Sequence, residues 1–154
     1  MVEQSVSRGA LTLYYFKMLI FCMIVAIAIG AAILYFAKIS MAGSGIGILL
    51  PMFAAALTGQ RYYRRTGALP QGGFAWQMAV RFSFVALAVN IALFGFIFAS
   101  GVIADVAPNG PDTEEVLVIG IVCVAAALIF LLVNRFGFGM GAKNAQKRTK
   151  TDSY

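Results

Sequence analysis

The sequence predicts an all-α integral membrane protein, a bundle of four transmembrane helices with both termini in the cytoplasm. Three observations carry that expectation. The first is composition: hydrophobic residues make up 61% of the 154-residue chain and charged ones 12%. Soluble domains hold about 45–50% and about 25%, and mean hydropathy here is +0.87. A soluble fold of this size could not cover that much apolar side chain, so the solvent is lipid. The second is layout, with four apolar runs separated by short polar stretches. A helix of about 20 residues rises about 30 Å, enough to cross the hydrocarbon. The third is the placement of charge. With the N-terminus inside, eleven of the twelve Lys and Arg residues fall on the cytoplasmic side and only Lys38 faces out. Orientation follows that bias. The chain reads as a single membrane domain over residues 1–154.

The first helix is expected over about 18–37. A short polar segment with Arg8 and then Lys17 precedes it. The apolar run is longer than a signal-peptide core of about 7–15 residues, and no A-x-A cleavage site follows. It therefore reads as an uncleaved span. A tight turn from Lys38 leads to the second helix, about 41–59. This is the weakest of the four, because its purely apolar part is short and Pro51 lies inside it. A re-entrant loop is the alternative, but it would put the arginines of the next segment outside.

Residues 60–81 (QRYYRRTGALPQGGFAWQMAVR) divide the chain into two hairpins. Arg61, Arg64, Arg65 and Arg81 sit here among Tyr62, Tyr63 and Trp76, the composition selected at a membrane–water interface. The stretch reads as a cytoplasmic loop. The third helix is expected over about 77–100. The following loop carries Asp105, Asp112, Glu114 and Glu115 and no cation. Its Pro108-Asn109-Gly110-Pro111 is turn chemistry. Asp112, with Glu115 three residues on, reads as the N-cap of the fourth helix, about 116–136. Residues 137–154 read as a basic, flexible cytoplasmic tail.

Few residues offer chemistry. The chain has no histidine, the commonest metal ligand and general base. Cys22 and Cys123 are isolated in apolar runs, and their expected depths differ by about 14 Å, too far for a disulfide. No Asp, Glu or His lies within a span, which argues against a proton-coupled carrier. No metal and no cofactor are expected, and the chain reads as non-enzymatic.

Each helix has a stripe of small or mildly polar residues, which in lipid lets backbones approach. The stripes are Cys22, Ala26, Gly30 and Ala37; Gly43, Gly47, Ala54 and Thr58; Ala79, Ser83, Ala86 and Asn90; Gly120, Cys123, Ala127 and Asn134. Gly30, Gly43, Gly47, Ser83, Asn90 and Gly120 are thus candidate packing positions. Asn90, near the expected midplane, reads as helix-to-helix glue, with a ligand contact as the alternative. Lys17, Arg61, Arg81 and Arg135 fall at the cytoplasmic ends of the four helices. With Arg64 and Arg65 they are candidate contacts for anionic lipid headgroups or an acidic partner. Phe82, Phe84, Phe94, Phe96 and Phe98 lie off the small stripe and are expected to face outward, with Phe94, Phe96 and Phe98 as a candidate partner face. Nucleic acid is not expected, because the arginines flank apolar runs.

The segment from Met52 to Ala79 carries an Ala-rich helix end, then Gln60-Arg61, then Thr66-Gly67-Ala68-Leu69-Pro70, then a polar start to the third helix. In this it resembles a family of small uncharacterised four-helix bacterial inner-membrane proteins. The resemblance covers about a fifth of the chain. It implies a bacterial inner-membrane location and no known activity. Small four-helix multidrug transporters are similar in helix count, but they depend on an acidic residue in the first helix, and residues 18–37 contain none. The function expected is that of an accessory or scaffold subunit of a larger membrane assembly, with other integral membrane proteins as partners. The alternative is a small transporter, channel or holin-like homo-oligomeric pore.

Overall fold

The structure, a computed structural model, describes residues 7–38, 46–100 and 113–151. Among them lie four helices: α1 (Arg8–Ala37), α2 (Ile46–Thr66), α3 (Gly72–Ala99) and α4 (Thr113–Thr151). The turn after Lys38, Gly43, the acidic loop with Asp105 and Asp112, and the last three residues lie outside the described residues. Three helices are long and apolar enough to cross a membrane, within Arg8–Ile33, Gly72–Leu93 and Gly120–Thr151. Within the described residues α2 does not qualify. Its apolar part, 46–59, rises only about 21 Å, contains Pro51 and then turns polar.

Every helix runs past the end of its apolar stretch at the basic end. α1 starts at Arg8 rather than near residue 18, and α2 continues to Thr66 rather than ending near 59. α3 starts at Gly72 rather than near 77. The largest difference is in α4: the segment expected as a flexible tail from residue 137 is helical to Thr151. Hydropathy marks where lipid contact stops, whereas a helix stops where its backbone is capped. Leu11 N donates to Ser7 O, 3.2 Å, at the start of α1. Gly67 closes α2 with φ of 67°, its N donating to Tyr63 O at 2.8 Å. Gly adopts that left-handed conformation without a Cβ penalty. The expected loop over residues 60–81 therefore shrinks to 67–71.

The core sits at this basic end. Leu11, Tyr15 and Leu19 of α1, Ala54 and Ala55 of α2, Ala75, Met78, Phe82 and Ala86 of α3, and Phe130 and Phe138 of α4 are buried together. The Tyr15 ring stacks on Phe82 with centroids 4.2 Å apart. Phe138 meets Phe82 edge-on at 5.7 Å. Phe82 thus faces inward, against expectation, because positions 79, 82 and 86 share one helical face. Phe84 and Phe96 are exposed, as expected. The side chains of Phe94 and Phe98 lie outside the described residues.

α2 and α4 make the most extensive helix pair, and glycine sets how closely they approach. A Cβ added at Gly59 would run into the Phe138 carbonyl oxygen, and one at Gly141 into the Ala56 carbonyl oxygen. Gly137 lies against Met52 in the same way. Gly137 and Gly141 are four apart, the G-x-x-x-G spacing that brings backbones together where lipid supplies no hydrophobic drive. Of the glycines singled out from the sequence, the three described ones make no such close approach. A Cβ on Gly30, Gly47 or Gly120 meets nothing within 4 Å.

Away from the basic end the packing stops. No described side chain is buried beyond Leu19 in α1, beyond Ala86 in α3, before Pro51 in α2 or before Phe130 in α4. Cys22 and Cys123 are free thiols.

Candidate functional site

Three arrangements at the basic end could carry function. The first is a buried polar link across three helices. Tyr15 Oη donates to Asn134 Oδ1 at 3.1 Å. Asn134 Nδ2 donates to Ser83 Oγ at 3.3 Å, and Ser83 Oγ donates to Ala79 O at 2.8 Å. Tyr15 and Asn134 are both fully buried. An unpaired polar group there would cost about 1–3 kcal/mol, so the three side chains specify how α1, α3 and α4 register. Ser83 holds the packing position expected of it. Asn90 does not: it is exposed and its Nδ2 donates to Ala86 O of its own helix at 2.8 Å. Asn134, one of the small-stripe residues, does the bridging instead. Tyr15 had no signal in an apolar stripe, and only its spacing to Leu11 and Leu19, four residues either side, places it on an inward face.

The second arrangement is the collection of cations. Arg61 lies over the Tyr14 ring at 4.2 Å, Arg135 over the Trp76 ring at 5.7 Å and Arg8 over Phe74 at 6.0 Å. These contacts tie the basic ends of all four helices into one end of the bundle. Each guanidinium over a ring gains about 0.5–1 kcal/mol where exposed. Lys17, Arg64, Arg65 and Arg81 are exposed, and Arg64 and Arg65 share a shallow concavity with Arg61 and Gln60. Among the described residues the acids are Glu114 and Glu115, at the opposite end of α4. The positive field at the basic end is therefore uncompensated by the described chain.

The third is a groove beside α4, an open concavity of about 460 Å³. Leu69 and Pro70 of the α2–α3 connection form one side. Arg135, Gly139, Lys143, Asn144 and Lys147 form the other. Arg135 Nε is buried and has no hydrogen-bond partner. Gly139 leaves room for the guanidinium, whose Nη1 lies 3.3 Å from where a Cβ would stand. Lys143 and Lys147 were read from the sequence as part of a flexible tail. The signal that could have found them is the four-residue spacing of 135, 139, 143 and 147, which only a continued helix aligns.

Among the described residues no three His, Cys, Asp or Glu side chains come together to hold a metal. Comparison with protein-family models, with curated proteins and with solved structures found no match to this chain. The likeness of residues 52–79 to small inner-membrane proteins therefore rests on those residues alone.

Proposed function

We propose that this chain is a non-enzymatic, four-span protein of a bacterial inner membrane, with both termini in the cytoplasm. In this reading it is an accessory or scaffold subunit of a larger membrane assembly. The observation that supports the reading most is the contrast between its ends. The basic end packs on itself, with Tyr15, Asn134 and Ser83 hydrogen-bonded across helices and its aromatics stacked. At the other end no described side chain is buried and large apolar ones stand exposed on α1, α3 and α4, Phe36 83% and Phe96 74% among them. Contiguous apolar surface of that extent marks contact with lipid or with another protein. Aromatic faces add geometry-dependent contacts that lipid does not need. The clustering of arginines at one end favours placing that end in the cytoplasm. A span for α2 requires the residues before Ile46 to lengthen its apolar part.

Purification of the tagged chain in mild detergent tests the reading. Stoichiometric recovery of other integral membrane proteins is the expected result. A homo-oligomer with no other protein would instead support the pore. Reporter fusions after Ala68 and Tyr154 test the topology, and a periplasmic signal at either position would sink it.

A further inference from the structure

We infer that the groove between Pro70 and the basic face of α4 binds the headgroup of a membrane lipid carrying two phosphates. The inference rests on the membrane reading above. Arg135 supplies the first observation. Its Nε is a buried donor without a partner, and one face of its guanidinium is covered by Trp76 at 5.7 Å. Its Nη1 lies 3.3 Å from where a Cβ on Gly139 would stand, beside the groove that both residues line. A phosphate oxygen satisfies a guanidinium fork with charge-assisted hydrogen bonds.

The second observation is the spacing. Arg135, Lys143 and Lys147 line the same groove and span twelve residues of one helix, a rise of about 18 Å. One phosphate cannot touch all three cations, whereas two linked phosphates can engage both ends. Three positive charges stand here with no acid from the described chain beside them. Arg61, in the other cationic concavity, lies closer to its ring, 4.2 Å from Tyr14 against 5.7 Å for Arg135 and Trp76.

The third observation separates a lipid from a soluble phosphate. Phe136 and Met140 line the groove alongside the cations, and Phe136 is 64% exposed. Arg135 stands where the apolar run of α4 gives way to basic sequence, at the depth of headgroups. The groove thus offers hydrocarbon contact at one end and cations at the other, the geometry for an anionic amphiphile.

The test uses the full chain in mild detergent, titrated with diphosphatidylglycerol, phosphatidylglycerol or inorganic pyrophosphate. Bound lipid is read by native mass spectrometry and stabilisation by thermal unfolding. Diphosphatidylglycerol should bind most tightly. K143Q/K147Q should weaken it by about thirtyfold, at about fivefold per lysine, without changing the unfolding temperature of the lipid-free protein, because both lysines are exposed. R148Q/K150Q, with the same loss of charge at exposed residues that do not line the groove, should bind as the wild type does. R135Q should abolish the preference for two phosphates over one. Equal binding of phosphatidylglycerol and diphosphatidylglycerol would overturn the proposal. So would unchanged binding in K143Q/K147Q, or equal stabilisation by pyrophosphate, which would assign the groove to a soluble ligand. Loss of a co-purifying protein in K143Q/K147Q with lipid binding intact would assign it to an acidic protein partner. Failure here with fusions after Ala68 and Tyr154 still cytoplasmic sinks this site and leaves the membrane topology standing.

Discussion

Leu19 and Ile27 stand about two turns apart on α1, yet Leu19 is 2% exposed and Ile27 66%. The same break recurs on α3 between Ala86, fully buried, and Ile91, 64% exposed. α4 repeats it in reverse, with Leu117 64% exposed and Phe138 fully buried. The two ends of the bundle differ in what they are made of. The buried end mixes glycine, alanine, aromatics, Thr58 and Asn134. The exposed end is richer in Ile, Val and Leu. In water the more apolar end would be the core. Here the better packed end is the one with polar groups, as expected of helices in lipid, which is as good a neighbour for Leu as another Leu is. Close backbone approach, ring stacking and satisfied hydrogen bonds are what draw helices together in that solvent.

The strongest way to break this comparison is to separate α2 from α4. Gly141→Leu places a side chain against the Ala56 carbonyl and should cost about 3 kcal/mol or more. Gly30→Leu, at the other end, should change stability by under about 0.5 kcal/mol, because nothing lies within 4 Å of the added Cβ. Unfolding in detergent measures both, and equal effects would remove the distinction between the two ends. The polar link is a smaller lever. Tyr15→Phe leaves buried Asn134 Oδ1 without its Tyr15 donor and should cost about 1 kcal/mol. Asn90→Leu should cost nothing measurable by the same assay, since among the described residues Asn90 bonds to Ala86 O of its own helix.

Hydrogen exchange sharpens the boundary itself. Amides around Phe138, Ala142 and Ala145 should exchange slowly, because these residues are buried and lie in a continuous helix. Fast exchange from residue 137 onward would restore the mobile tail that hydropathy suggests. A change in stability under about 0.5 kcal/mol is also expected for Phe94, Phe96 and Phe98 together replaced by leucine. That variant should insert normally and yet recover less partner from mild detergent. Wild-type recovery would show that this face docks nothing.

The helical class, the count of four helices and the collection of cations at one end were legible in the chain, because each rests on long runs of residues. Helix ends were not. Lys17, Gln60 and Gly137 mark where hydropathy falls, and the helices run on past all three. Among site residues Ser83 was found and Asn134 was in view, since a small polar side chain in an apolar run stands out. Gly59, Gly137 and Gly141 were passed over because they lie just outside the apolar runs. Gly30, Gly47 and Gly120 lie inside such runs, where small residues also occur at positions whose added Cβ would meet no described neighbour within 4 Å. A single helix cannot say which of its faces meets another helix, and Phe82 was misplaced for that reason.

The 39 residues of α4 make a rod about 58 Å long, with no proline to interrupt it. It rests on α2 near Gly137 and Gly141, where bare backbones touch. A rod on such a fulcrum is a balance with unequal arms. About 18 Å lies between Gly139 and Thr151, and about 39 Å between Gly139 and Thr113. A tilt that shifts the basic arm's tip by about 3 Å swings the apolar tip by about 6 Å. Whatever grips Lys143 and Lys147 would thereby move the far tip of α4 through about twice its own displacement.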